Sequence, residues 1–310
     1  MKMTVSLAGT NITLEVTDQK EEIRSFFEYF FRGFIRTDLK GTVAVRLSAL
    51  PKTGKDLPAG TLIRNHPLER LLPPGEVKKW LAGAPGCTGN FSIDETTLCS
   101  LSREGLLLFN PETSDGRIFF FKPAQDSLYS LHRLLWIYFA QVLGEIGGCF
   151  LHAAALAKGK HGAIFFGDSG AGKSTIAGLC PEWTVFSDDG PIFFERNGEY
   201  TVYPSPYQQI DLLRGLNKET LHMKARVKGL YFLVKDRRPF LEAISKKAAF
   251  SLILNRHIHF FPFLSARAKT TLFDLFFRVC DIIPLYNLHF TKSLGVQEVI
   301  LDKHLGGNHG

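Results

Sequence analysis

The run Gly167-Asp168-Ser169-Gly170-Ala171-Gly172-Lys173-Ser174 constrains the fold of this chain more than any other stretch. It satisfies the pattern G-x-x-x-x-G-K-[S/T]. Glycines there let the backbone take conformations other residues avoid and approach an anion closely. Successive backbone N–H groups then point inward as a nest for phosphate oxygens. The loop has to join a strand to a helix, whose first N–H groups and dipole favour negative charge. The flanks agree: residues 163–166 are an apolar, strand-like run, and residues 174–180 read as a helix closed by Pro181. Lys173 adds a mobile cation for the β and γ phosphates, and the Ser174 hydroxyl can ligate Mg²⁺. The expected nucleotide-binding set is Gly167, Asp168, Ser169, Gly170, Ala171, Gly172, Lys173, Ser174 and Thr175, with ATP and Mg²⁺ as cofactors.

A second element sharpens that reading. Residues 184–187 form a short β-type run ending in Asp188-Asp189. Only a short helix, a turn and this strand fit between Ser174 and Asp188. The carboxylates are therefore expected from the neighbouring element of the same βαβ unit. One can hold the metal and the other can accept the proton of an attacking hydroxyl. Gly190-Pro191 follows, so the pair also opens a turn. His152 interrupts an apolar run over 149–156 and reaches the phosphates if that strand lies beside the loop's strand. His257 and His259 alternate on one face of an extended segment, too few ligands for a metal site on their own. Arg214, Arg237, Arg238 and Arg256 are candidates for stabilising transferred charge, and the sequence does not choose among them.

The remaining pattern is mixed. Residues 4–7 and 12–16 read as a hairpin, 21–35 as a helix, and 42–47, 106–109 and 117–122 as strands. Residues 51–60 and 73–85 are rich in Pro and Gly and read as loops. A helix starts near Asp126-Ser127 and ends at Gly147-Gly148. Further on come a hairpin around Asn197-Gly198, a strand over 229–234, and helices over 239–254 and 266–279. The chain divides into a mixed α+β region over 1–125, a nucleotide-binding domain over 126–305 and a disordered tail over 306–310.

The net charge of +7 could suit nucleic acid, but the basic residues are scattered as isolated pairs such as Lys78-Lys79 and Lys246-Lys247. No nucleic-acid partner is expected. The most apolar stretch, 134–157, contains Gln141, Glu145 and His152, which argues against a membrane span. The five cysteines, Cys87, Cys99, Cys149, Cys180 and Cys280, form no zinc-type pair and read as reduced thiols in a cytoplasmic protein.

His152, the glycine loop and Ser187-Asp188-Asp189, taken in that order, resemble the HPr kinase/phosphorylase family. The resemblance covers about 150–206 and implies a PEP-carboxykinase-like P-loop core in an α/β fold. It implies that Lys173 contacts the transferred phosphate and that Ser174 and Asp188 serve the metal. Asp189 would then take the proton of a substrate serine, and His152 would assist. It also implies a homo-oligomer, as its kinases form hexamers. Departures include Ala153 after the histidine, Thr175-Ile176 in place of Glu-Thr, and only Asp211 in the region of a second acidic motif. Together with Tyr203-Pro204-Ser205-Pro206, they make the chain more similar to HPr-kinase-like proteins of cassettes for modified peptides. The expected function is ATP-dependent phosphorylation of a hydroxyl, a serine of a peptide or protein. The alternative is a non-transferring nucleotide module or an ATPase acting on a partner.

Overall fold

The computed structural model describes residues 1–16, 20–31, 33–36, 38–39, 41, 43–50, 89–94, 97–102, 105–121, 127–206, 220–291 and 295–304. The loops expected over 51–60 and 73–85, the tail over 306–310, Lys78, Lys79, Cys87, Asp126, Asp211 and Arg214 lie outside the described residues. The architecture is mixed α/β. Its residues group into two compact units, Met1–Glu145 with Pro262–Arg267, and Ile146–Phe261 with Ala268–Gly310.

In the first unit, β1 (Lys2–Leu7), β2 (Thr10–Val16), β3 (Ile35–Arg36), β4 (Val43–Leu50), β5 (Gly89–Asp94), β6 (Thr97–Ser102), β7 (Gly105–Phe109) and β8 (Gly116–Phe121) form one sheet. The order is β3-β1-β2-β4-β8-β7-β6-β5. Alternation decides its buried face, because successive strand residues point to opposite sides: Val5, Leu7, Ile12, Leu14 and Val16 are buried. Helix α1 (Lys20–Phe30) is shorter than the helix expected over 21–35. The chain instead turns after Phe31, and Ile35–Arg36 pairs with the β1 edge. Helix α2 (Ser127–Glu145) packs on β7 and β8, with Trp136 stacked against Phe31. Two buried polar residues of α2, Gln141 and Glu145, meet partners inside the unit. Gln141 donates to the Phe263 carbonyl and accepts from the Ser265 N–H, and Glu145 meets Ser265 and Arg267.

The second unit holds a sheet ordered β12-β10-β11-β15-β14-β13-β9, from β9 (Gly148–Phe150), β10 (Ala153–Lys158), β11 (His161–Phe166), β12 (Thr184–Ser187), β13 (Ile192–Arg196), β14 (Glu199–Tyr203) and β15 (Ala225–Lys235). It forks at β15. The first residues of β15 pair with β14, whereas Leu230–Lys235 pairs in parallel with β17 (Leu285–Phe290), which also carries β16 (Phe240–Ala243). The remaining α-helices are α3 (Lys173–Leu179), α4 (Lys246–Arg256), α5 (Ala266–Ile282) and α6 (Gly295–His304). One sheet face, with Leu156, Phe165 and Tyr231, packs with Ile176 of α3 and with Val296 and Ile300 of α6. Burying such side chains stabilises the unit by about 1.5–3 kcal/mol apiece. Phe166 points to the opposite face and stacks on Phe232.

Two expectations are corrected here. The helix expected over 239–254 is strand β16 followed by α4, because Ser245 caps α4 by accepting from the Ala248 N–H, and β16 pairs with β17. The acidic strand β12 is not the immediate neighbour of the loop strand β11. Strand β10 lies between them and is antiparallel to both. Among the described residues, no helix is long and apolar enough to cross a membrane. Cys149, Cys180 and Cys280 are free and buried, and burial pushes the thiols of Cys180 and Cys280 up to about 11.

Candidate functional site

The site follows from register. Ala153 opposes Phe166, so His152, just before β10, stands beside Gly167, just after β11. Ala155 opposes Ser187, so Asp188 and Asp189 leave β12 at the same end of the sheet. The apolar run over 149–156 is not one strand. It breaks at Leu151 and His152, where the chain passes from β9, paired with β13, to β10, paired with β11 and β12. His152 occupies that break.

The loop itself turns at Asp168, whose carbonyl accepts from the Ala171 N–H at 3.0 Å. Asp168, Ser169 and Gly170 are exposed, and Gly167, Ala171 and Gly172 are half-buried. Gly170 and Gly172 take positive φ of 76° and 111°. A β-carbon on Gly172 would sit 2.5 Å from the Phe290 ring, so this position excludes side chains twice over. Gly172 is the N-cap of α3, and no side chain caps that helix. Ser174 is exposed and Thr175 half-buried in its first turn.

Lys173 is buried at 8% exposure. Its Nζ donates to the Gly167 carbonyl at 2.9 Å and lies 2.9 Å from His152 Nε2. Asp189 Oδ1 is 3.6 Å from the same Nζ and 3.2 Å from His152 Nε2. An ammonium has three donors and no acceptor. The ring tautomer of His152 sets whether Nε2 accepts from Lys173 or donates to Asp189, and the carboxylate is drawn to the ammonium in both. Burial raises the Asp189 pKa, but contacts with His152, His259 and Lys173 outweigh it and hold the carboxyl below its ordinary value. Asp189 is therefore ionised near neutral pH.

The Asp-Asp-Gly turn is fixed from behind. Ser187 Oγ accepts from the N–H groups of Asp189 and Gly190, at 3.3 and 2.9 Å. The hydroxyl of Ser205, in the Tyr-Pro-Ser-Pro stretch, donates to the Gly190 carbonyl. Asp189 is half-exposed and faces Lys173, whereas Asp188 is buried at 4% exposure. Among the described residues, no group of three or more His, Cys, Asp or Glu is placed to hold a metal ion by protein ligands alone.

A third wall comes from the segment Arg256-His257-Ile258-His259, from which the sequence offered only Arg256 for the phosphates, as one of four arginines. Leu151 bridges Ile258, the His152 N–H donates to the His257 carbonyl at 2.9 Å, and the His259 N–H donates to the Phe150 carbonyl at 2.9 Å. His259 Nε2 lies 2.8 Å from the Asp189 carbonyl. A carbonyl only accepts, so this nitrogen carries the proton. The rings of His257 and His259 lie 6.1 and 5.1 Å from that of His152. His257 also packs on Phe166, and among the described residues its buried Nδ1 has no hydrogen-bond partner. Burial pushes the His257 pKa down to about 4 and lowers that of His259 as well. Arg256 Nη1 donates to Asp168 Oδ2 at 3.2 Å. The signal was present as a His-x-His pair after a helix-ending arginine, but nothing in its spacing says which strand it meets. Arg237 and Arg238 follow β15, and neither makes a described contact with the loop.

A model of the family described as SynChlorMet cassette protein ScmC matches residues 121–301, which includes the loop, the acidic turn and the His-x-His segment. No curated protein matches the chain.

Proposed function

This chain belongs to the family of SynChlorMet cassette protein ScmC, and on that premise we propose that it is an ATP-dependent kinase that phosphorylates a hydroxyl. The acceptor we favour is a serine of a peptide or protein encoded with it, a choice supported by the family's description as a cassette protein. The observation that carries the reading is the meeting of an ammonium, an imidazole and an ionised carboxylate, Lys173, His152 and Asp189, within 3.6 Å at the mouth of the glycine loop. Holding phosphate calls for the lysine and the loop amides. A carboxylate beside them adds a proton acceptor. The core that fits this reading is the PEP-carboxykinase-like P-loop type implied by the sequence resemblance.

The residues suit the groups they would hold. Gly172 backs onto Phe290 with no side chain toward the loop, and α3 has no side-chain cap to compete for its first N–H groups. Lys173 is the cation of the nest. Mg²⁺ usually takes one or two protein oxygens and completes its shell with phosphate and water. The exposed Ser174 hydroxyl and the Asp188 carboxylate are the donors we assign to it. Mg-ATP, when bound, supplies the γ-phosphoryl group and ADP as leaving group. Asp189 orients the acceptor hydroxyl and takes its proton as oxygen bonds to phosphorus. Lys173, drawn toward phosphate, releases its hold on Asp189, which becomes more basic. His152 bridges the lysine and the carboxylate through Nε2, which keeps both at the loop. A cytoplasmic setting supplies ATP.

Incubation with γ-labelled ATP and serine-bearing peptides tests this. Label is expected on the acceptor. In Asp189→Asn, label should fall by about 10²-fold or more while Mg-ATP is still bound. Phosphate release without label on any acceptor would instead support an ATPase or a regulatory nucleotide module.

A further inference from the structure

The reading above leaves one cation at the loop without a task. Arg256 is the last residue of α4, and its guanidinium crosses to Asp168, the second residue of the glycine loop, 88 positions earlier in the chain. Both partners are largely exposed, 59% and 66% by side chain. An isolated exposed pair of this kind contributes little to folding. Its position, however, is held firmly. The residues just after Arg256 are tied by backbone hydrogen bonds to His152 and Phe150, and His259 binds the Asp189 carbonyl. The arginine is therefore carried on an anchored segment, with only its side chain free to move.

Asp168 places a negative charge at the entrance of a loop whose amides and lysine favour anions. That carboxylate opposes a polyphosphate unless it is neutralised. A guanidinium binds phosphate through parallel charge-assisted hydrogen bonds, better than it binds a solvated carboxylate at a single contact. We propose that Arg256 is a polyphosphate-binding residue of this site, parked on Asp168 in the ligand-free protein and transferred to a phosphate oxygen when nucleotide enters. The proposal rests on the reading of residues 167–175 as a nucleoside triphosphate site. It singles out Arg256 from the four arginines left open by the sequence.

Calorimetric titration of the full chain with Mg-ATP and with Mg-ADP tests it, using wild type, Arg256→Gln, Arg256→Lys and Asp168→Asn. Circular dichroism melting of each variant checks the fold. Arg256→Gln is expected to weaken Mg-ATP binding about 10–100-fold, the loss of one hydrogen bond to a charged group. Arg256→Lys should recover part of it, because lysine keeps the charge but not the fork. Asp168→Asn should tighten binding several-fold, because it frees the guanidinium and removes the opposing charge. Equal binding by wild type and Arg256→Gln overturns the proposal alone. So does a loss in Asp168→Asn that matches the loss in Arg256→Gln, since the pair would then be a structural staple. Absence of Mg-ATP binding by the folded wild type overturns the nucleotide site itself, and the arginine's role with it.

Discussion

At the scale of single residues, the centre of the site is a question of protons. Lys173 has three N–H groups, two of which are accounted for by the Gly167 carbonyl and His152 Nε2, both at 2.9 Å. The third faces Asp189 Oδ1 at 3.6 Å. Where Lys173 donates to Nε2 of His152, that nitrogen carries a lone pair and the ring proton sits on Nδ1; a proton on Nε2 is instead shared with Asp189 Oδ1. In Lys173→Met the donor is gone, and Nε2 should take the proton and donate to Asp189, 3.2 Å away. Nitrogen NMR of labelled histidine reads this switch directly. A wild-type spectrum with Nε2 already protonated at neutral pH would mean that Lys173 does not donate to it. Sequence named all three residues, two from motif chemistry and His152 with the help of family resemblance. It left Arg256 as one of four candidate arginines and did not place His259 beside Asp189, because their approach depends on a bridge between Leu151 and Ile258 across more than a hundred positions.

At the scale of elements, the turn from β11 into α3 depends on glycine for two different reasons, which can be separated. Gly170 has positive φ, and a β-carbon added there would have nothing within 4 Å, so alanine meets only backbone strain, about 1–2 kcal/mol. Gly172 adds a collision with the Phe290 ring to a φ of 111°. Gly172→Ala is expected to cost about 2–4 kcal/mol. Denaturant melts of the two variants should rank them in that order, and equal losses would show that the Phe290 contact is soft. The loop, β12 and the hairpin β13–β14 were legible from local pattern, since each is written in residues close together. The split of 149–156 into β9 and β10 was not. Both halves are apolar, and only their different partners distinguish them. Strand β16 was misread as helix for a related reason: four residues carry too little period, and pairing with β17 overrode it.

At the scale of the whole molecule, each compact unit contains an imidazole kept neutral by its surroundings. In the first, burial pushes His132 down to about 4, and its Nε2 accepts the Trp136 indole N–H at 2.6 Å. In the second, His257 is pushed down to about 4 and His259 is lowered, burial being the main cause in both. Unfolded histidine titrates near 6.5. Below that, the unfolded chain binds protons that the folded one refuses, so the stability present above about pH 6.5 is lost as pH falls toward 4. The thermal midpoint is expected to drop roughly 5–10 °C between pH 7 and 4.5. His132→Gln and His257→Asn should each flatten that slope, and an unchanged slope in both would mean that other groups cause it. By itself, the sequence determined the glycine loop, its lysine, the acidic turn and the alternation that buries each sheet face, because those are short-range consequences of backbone freedom and side-chain polarity. Only the tertiary structure decided that β10 separates the loop strand from the acidic strand, and that Arg256, His257 and His259 close the third side. Strand order and long-range bridges are set by which apolar faces find each other, and no local spacing encodes that.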